Sequence, residues 1–212
     1  MRHSYSAVLV VLAVAAGAPD SLAASCEITN PKSRAELYGG DARLAKTPLD
    51  ELLLLAEDGS LPAQNALGVA YGTGAGAPKD SEKSAYWYAR SARAGLAISQ
   101  ANLAFMYLNG EGVQKDPELA FSWAERSAAQ GHFQAQLFLG YAYGTGTGVK
   151  QDGSAAERCY LAAAKQGNLE AQQTLMRMYE RGDGVPQDSA KALLWLHRVR
   201  DGVLSGRTWR EE

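Results

Sequence analysis

One pattern occurs four times along the chain at an unchanging interval of 36 residues, and this periodicity restricts the fold more than any other feature. The columns that follow it are glutamine (Gln64, Gln100, Gln136, Gln172), leucine (Leu67, Leu103, Leu139, Leu175), tyrosine (Tyr71, Tyr107, Tyr143, Tyr179), aspartate (Asp80, Asp116, Asp152, Asp188) and two of glycine (Gly74, Gly110, Gly146, Gly182 and Gly76, Gly112, Gly148, Gly184). A fixed period of this size is typical of a repeat array, in which each unit covers the apolar face of its neighbour. We therefore expect one continuous solenoid whose function lies on its surface.

The first half of each copy has the spacing of a helix, here called helix A. In the first copy Gln64, Leu67, Gly68 and Tyr71 stand at positions i, i+3, i+4 and i+7. These positions form one face of a helix over about residues 62–73. The Tyr-x-x-Gly-x-Gly motif that follows provides glycines for the end of the helix and for a tight turn.

The second half of each copy predicts another helix, here called helix B. Its aspartate can accept hydrogen bonds from the free backbone N–H groups of the first turn. Trp87, Trp123 and Trp195 each follow their aspartate by seven residues and indicate a buried stripe. Cys159 holds the tryptophan position in the third copy, where we interpret it as a small buried hydrophobic residue.

The repeats also predict where the chain divides. Residues 25–46 show no period and are expected to form an irregular lead-in. We place a half-repeat cap at 47–61, with Thr47 as the N-cap and Pro48 as the first helical residue. The solenoid as a whole is expected over 47–203, with full repeats near 62–97, 98–133, 134–169 and 170–203, followed by a C-terminal tail at 204–212.

The start of the chain has the layout of a bacterial export signal. Arg2 precedes an apolar run over 7–18, and small residues suited to a signal peptidase follow. We expect 1–24 to be removed near Ala23 or Ala24, leaving a periplasmic or secreted protein. The run is short for a bilayer, so no membrane span is expected and an uncleaved anchor is the lesser alternative. A second alternative is a lipid anchor on Cys26, because the residues before it resemble a lipoprotein cleavage box.

Charge and cysteine content exclude several classes of function. The net charge is −2, and 21 basic and 23 acidic residues are interspersed. This leaves no basic stripe for a phosphate backbone, so nucleic acid is not an expected partner. The two cysteines form no Cys-x-x-Cys motif and no paired histidines accompany them, so we expect no metal and no cofactor. Whether Cys26 and Cys159 pair is left open by the sequence.

The sequence also contains no recognisable catalytic set. No Gly-x-Ser-x-Gly motif occurs, and only His132 and His197 remain once the export signal is removed. A nucleophile would need a base within reach, and neither histidine has such a context. The glycine-rich turns beginning at Gly72 and Gly144 lack the spacing of a phosphate-binding loop. We therefore expect a protein that is not an enzyme.

The repeated form Ala-x-x-x-Leu-Gly-x-x-Tyr-x-x-Gly-x-Gly-Val-x-x-Asp-x-x-x-Ala-x-x-Trp, closing on Ala-Ala-x-x-Gly, strongly resembles the Sel1-like repeat family, a relative of tetratricopeptide repeats. The resemblance implies an all-α, right-handed α-solenoid of about four helix-turn-helix repeats, with a concave face lined by the A helices. It also implies an adaptor, inhibitor or regulator that acts through protein contacts. Exported members include envelope-signalling regulators, host-interaction proteins and immunity proteins against lipase toxins of type VI secretion. A cysteine-rich subgroup is β-lactamase-like, but this chain lacks those cysteines.

If helix A is oriented as in related repeats, the residues beside the leucine and tyrosine columns face the groove. The predicted groove has an apolar, aromatic middle and a charged end, which suits a protein loop or peptide. The predicted partner-binding residues are Asn65, Val69, Phe105, Leu108, Leu137, Tyr141, Gln173, Arg177 and Glu180. The alternative is that Phe105 and Leu137 belong to the core, because periodicity alone leaves the rotation of the helix uncertain.

These observations together predict a periplasmic protein that binds another protein in its groove and inhibits it, as an immunity protein against a type VI lipase-type toxin would. A regulator or adaptor for an envelope sensor or a cell-wall enzyme is the alternative within the same class. A weak envelope hydrolase of β-lactamase-like type is the alternative from another class.

Overall fold

The computed structural model describes residues 26, 28, 31–33, 36–37 and 43–205. The predicted export signal, much of the predicted lead-in and the last seven residues of the predicted C-terminal tail lie outside the described residues. None of the helices in this part of the chain is long and apolar enough to cross a membrane.

The described residues form nine α-helices and no strand, which confirms the all-α solenoid. A short 3-10 helix, Leu44–Lys46, comes first. The α-helices are α1 (Leu49–Glu57), α2 (Leu61–Thr73), α3 (Ser81–Arg93), α4 (Ala97–Asn109), α5 (Pro117–Ala128), α6 (Phe133–Thr145), α7 (Gly153–Lys165), α8 (Leu169–Arg181) and α9 (Ser189–Ser205). The A helices are α2, α4, α6 and α8, the B helices are α3, α5, α7 and α9, and each helix packs on the next.

The leucine column forms the centre of every repeat. Leu67, Leu103, Leu139 and Leu175 are at most 1% exposed. Fully burying such a side chain stabilises the fold by about 1.5–3 kcal/mol relative to leaving it in water. The tryptophans of the B helices are also buried, namely Trp87, Trp123 and Trp195. The buried side chains form two apolar clusters that extend along the array.

The two glycine columns shape the turn between helix A and helix B. Gly110 ends α4 with a φ of 76°, a left-handed conformation that residues with a side chain rarely adopt. Gly112 has a φ of 68° and also lies against the preceding repeat, where an added Cβ would come within 2.0 Å of the carbonyl oxygen of Ser81. The second glycine is therefore needed both for its backbone conformation and for close packing between repeats.

The structure pairs Cys26 with Cys159 in a disulfide, with Cα atoms 5.0 Å apart. This settles the pairing that the sequence left open. It also removes the lipid-anchor alternative for this state of the protein, because one sulfur cannot carry both a thioether-linked lipid and a disulfide.

The described part of the lead-in contacts the second and third repeats. The backbone N–H of Lys32 donates to the carbonyl oxygen of Gln130 at 3.4 Å, and Ile28 lies beside Gly131. The third repeat has room for Cys26 because it lacks a tryptophan at the column position. In three B helices an arginine three residues after the tryptophan stacks on the indole ring, whereas the third has Cys159 and Ala162.

Candidate protein-binding surface

One column of side chains faces solvent on four successive A helices. Val69 and Phe105 are each 41% exposed, Tyr141 is 49% exposed, and Arg177 is also exposed. We call these four residues the A-helix stripe. The spacing of the repeats predicted this column, and it lies on the surface of α2, α4, α6 and α8.

Phe105 lies at the surface but is not isolated. Its ring makes an edge-to-face contact with the ring of Phe138, and the centroids are 5.8 Å apart. The alternative of a core position therefore does not describe Phe105. Leu108 and Leu137 are half-buried and pack against the core, so they offer a partner less exposed surface than Phe105 does. Gln173 and Glu180 are exposed on α8 near Arg177.

Asn65 is largely buried and makes hydrogen bonds within the array. It is only 9% exposed, and its side-chain oxygen accepts hydrogen bonds from Ser99 Oγ at 3.0 Å and Asn102 Nδ2 at 3.3 Å. A buried amide must satisfy its polar atoms inside the protein. Asn65 therefore links α2 to α4, and its role in partner binding stays a prediction.

Two recesses lie along the stripe. The first has a volume of about 620 Å³ and lies beside Val69, where Leu44, Leu49 and Leu52 form an apolar wall. The second has a volume of about 530 Å³ and lies between the third and fourth repeats. The side chains that distinguish this second recess are Tyr141, Tyr160, Thr174, Arg177, Arg181 and Asp183.

A glycine on α6 allows Tyr160 to form the floor of the second recess. A Cβ added to Gly140 would lie 2.7 Å from Cδ1 of Tyr160, so the ring packs directly on the helix backbone. Burial is the main cause that raises the pKa of Tyr160 to about 12, and the charge of Glu170 adds to it while Arg177 opposes it. The Tyr160 hydroxyl is therefore protonated at neutral pH and can donate a hydrogen bond.

The second recess is open because of the residue at one column position. Phe138 holds this position in the third repeat and packs on Phe105, whereas Thr174 holds it in the fourth. The smaller threonine leaves space beside Tyr141. Tyr160, Thr174 and Arg181 were not among the residues predicted from the sequence. Arg181 could have been found because it follows Arg177 by one helical turn, but the contact of Tyr160 with α6 required the structure.

The position of His132 does not suit a catalytic base at the surface. His132 is fully buried, and this burial lowers its pKa to about 4. Such a side chain cannot meet a substrate at the surface. Of the described residues that line the second recess, none is a serine, cysteine or histidine. No group of three or more His, Cys, Asp or Glu side chains in the described part of the chain could hold a metal ion.

Two solved structures share both fold and sequence with this chain. The c5321 protein, a protective antigen in uropathogenic Escherichia coli strains that displays an SLR fold, is 32% identical, with a TM-score of 0.72 over 81% of this chain and 38% of its own. A Sel1 repeat protein from Oxalobacter formigenes is also 32% identical, with a TM-score of 0.68 over 72% of this chain and 63% of its own. The chain thus spans less than two thirds of the length of either protein.

A third solved structure is more distant. The immunity protein Pa5087 from Pseudomonas aeruginosa is 17% identical, with a TM-score of 0.42 over 84% of this chain and 78% of its own. Similarity at this level carries no argument about function. No curated protein matches the chain.

The pattern that defines the Sel1 repeat matches residues 61–96, 97–132, 133–168 and 177–198. The first three ranges each contain one A helix and one B helix of the structure. Sel1 repeats mediate protein–protein interactions, and they typically form scaffolds rather than catalytic sites. Because the pattern covers more than half of the chain and its first three matches each coincide with an observed helix pair, this protein belongs to the Sel1 repeat family.

Proposed function

We propose that this protein binds another protein through the A-helix stripe and inhibits it. The observation that carries the proposal is the exposure of Val69, Phe105 and Tyr141 in one column on adjacent repeats. Large apolar side chains aligned in this way cost solvation free energy unless a partner covers them, and patches of this kind often mark interaction sites. Aromatic residues are also frequent among the side chains that dominate the free energy of binding.

We place the protein in the periplasm. The layout of residues 1–24 favours export, and the Cys26–Cys159 disulfide supports an oxidising compartment, because cytosolic thiols are generally kept reduced. A partner in the same compartment follows from this location. Among the partners that the family resemblance implies, a lipase-type toxin delivered by type VI secretion fits an exported inhibitor. The protein would then be the immunity protein of the producing cell.

Affinity purification from periplasmic extract tests whether the stripe binds the partner. The variant with both Phe105→Ala and Tyr141→Ala should recover much less of the partner than wild type, because both rings leave the stripe. Tyr86→Ala is the matched control, since Tyr86 is 47% exposed but lies on a B helix. Equal recovery of the same partner by wild type and by the stripe variant would contradict the proposal.

The purified partner then tests inhibition. Its lipase activity should fall when wild-type protein is added in equal amount, and the stripe variant should inhibit less. A partner that proves to be an envelope sensor or a cell-wall enzyme would replace the immunity role by the regulatory one. A partner whose activity is unchanged in the complex would refute inhibition while leaving the binding surface in place.

A further inference from the structure

We propose that the second recess receives an acidic side chain of the partner protein, with its carboxylate held by Arg177 and Arg181 and its aliphatic part against Tyr141 and Tyr160. The inference rests on the proposed function, because it assigns the chemistry of the partner at one part of the same surface. It predicts a glutamate or aspartate on the partner beside the apolar residues that cover Phe105.

Arg177 and Arg181 are available to bind a carboxylate. They lie one turn apart on α8, both are exposed, and both line the recess. Within the described part of the chain, Arg177 donates one hydrogen bond, to Thr174 Oγ1 at 3.3 Å, and neither arginine has an ion pair. Arg90, in contrast, is already paired with Glu57 at 3.1 Å. Arginine prefers planar carboxylates because its guanidinium can donate two parallel hydrogen bonds.

The cationic character is specific to the fourth repeat. The column of Arg177 contains Val69, Phe105 and Tyr141 in the earlier repeats. The column of Arg181 contains Thr73, Asn109 and Thr145. The charged residues that line the recess are the two arginines and one aspartate, Asp183. The stripe therefore changes from apolar to positively charged at this point, although the whole chain has a net charge of −2.

The tyrosines add a third donor and two apolar walls. Tyr160 is half-buried on the backbone at Gly140, and Tyr141 is exposed at the rim. The protonated hydroxyl of Tyr160 can donate a hydrogen bond to the same carboxylate, because Tyr160 and Arg177 line the same recess. The methylene groups of a glutamate would contact the rings while its carboxylate reaches the arginines.

A displayed library of random nine-residue peptides provides the probe. We expect peptides selected on the wild-type protein to contain Asp or Glu at one constant position next to apolar or aromatic residues. The variant with Arg177→Gln and Arg181→Gln should keep the apolar preference and lose the acidic one. Arg158→Gln is the matched control, because Arg158 is exposed on a B helix and lies outside the recess.

One acidic peptide from the selection is then compared with its Gln or Asn counterpart by fluorescence polarisation. Binding to wild type should weaken about tenfold when the carboxylate is replaced, as expected for a charged hydrogen-bonded pair. The two peptides should bind the double arginine variant equally. Unchanged melting temperatures of the variants show that any loss is not a loss of fold.

The possible results separate this inference from the proposed function. Selected peptides that lack an acidic position but lose binding with Phe105→Ala and Tyr141→Ala would overturn the carboxylate site and keep the stripe. Acidic selection by the double arginine variant would also overturn it. If no peptide depends on either set of residues, both proposals fail.

Discussion

Two glycines on A helices determine where a tyrosine of the following B helix lies. A Cβ on Gly68 would come within 2.5 Å of the Tyr88 ring, and one on Gly140 within 2.7 Å of the Tyr160 ring. Burial raises the pKa of Tyr88 to about 12, which agrees with a phenol enclosed by the neighbouring helices. At these two positions the missing side chain is a packing requirement, because the φ angles are those of an ordinary helix.

Substitution of Gly140 by alanine should destabilise the protein. Alanine improves intrinsic helix propensity by about 1 kcal/mol. Overpacking against the rigid ring of Tyr160 costs about 1–3 kcal/mol and should outweigh this gain. Denaturant unfolding followed by circular dichroism measures the change. Gly144→Ala is the control, since its Cβ would meet only the Cβ of Ala156 at 3.9 Å and should not lower stability.

A Gly140→Ala protein as stable as Gly144→Ala would show that the ring moves without cost. Introducing Tyr160→Ala as well should remove the penalty, because the clash requires both groups. The double variant therefore distinguishes this contact from a general effect of mutating α6.

At the scale of the helix, the aspartate column has two functions. Its side chains cap the B helices, as when Asp116 Oδ1 accepts from the backbone N–H of Leu119 at 2.9 Å. Its backbone N–H groups also bind back to the preceding A helix, where Asp116 donates to the carbonyl oxygen of Tyr107 at 2.8 Å. The same pair of contacts occurs at Asp80, Asp152 and Asp188. Each aspartate therefore joins the two helices of its own repeat.

Asp116→Ala should lower the free energy of unfolding by about 1 kcal/mol, as loss of an N-cap usually does. Asp116→Asn should retain most of the stability, because asparagine caps helices nearly as well. Asp183→Ala is a further control, since Asp183 is exposed in a turn and caps no helix. Thermal unfolding at neutral pH ranks the three. If alanine and asparagine prove equal at position 116, the side-chain cap contributes nothing measurable.

The helix boundaries were largely predictable because capping is local in sequence. The expected first A helix at about 62–73 is observed at Leu61–Thr73. The start of α1 is the exception, since Thr47 was expected as its N-cap but Pro48 is the residue before the helix. The hydroxyl of Thr47 instead donates to the carbonyl oxygen of Arg43 at 3.2 Å. A hydrogen bond to the preceding 3-10 segment thus replaces the cap predicted from the Thr-Pro pair.

At the scale of the whole molecule, the disulfide adds a covalent link between distant parts of the chain, whereas the helices contact mainly their neighbours. Each repeat packs mainly on the next, so an open array can lose its ends separately. Cys26 and Cys159 are 133 positions apart, and their bond ties the lead-in to the third repeat. If the first repeats unfold locally, they therefore stay attached to the third repeat at both ends, through the following helices and through the disulfide.

Replacing Cys26 and Cys159 by serine should lower the free energy of unfolding by about 2–5 kcal/mol, because the unfolded chain regains the entropy of a long closed loop. Chemical denaturation of oxidised wild type, reduced wild type and the double variant measures this. Reduced wild type should match the variant, and reductant should leave the variant unchanged. Equal midpoints for oxidised and reduced wild type would mean that the bond does not stabilise the array.

The sequence by itself determined the number of repeats, their helix pairs and the leucine, tyrosine and tryptophan columns. It could do so because helix spacing and helix capping depend on residues close together in the sequence, and the same pattern occurs four times. It also identified the column of Val69, Phe105, Tyr141 and Arg177, since spacing along a helix defines a face.

Only the tertiary structure determined the contacts between residues that are far apart in the chain. It joined Cys26 to Cys159, buried Asn65 under the neighbouring A helix and placed Tyr160 beside Arg177 and Arg181. Neither periodicity nor a local motif encodes these contacts. Two of them arise where a repeat departs from the common pattern. Cys159 stands in place of a tryptophan and leaves space that Cys26 fills. Thr174 stands where the third repeat has Phe138 and leaves the second recess open.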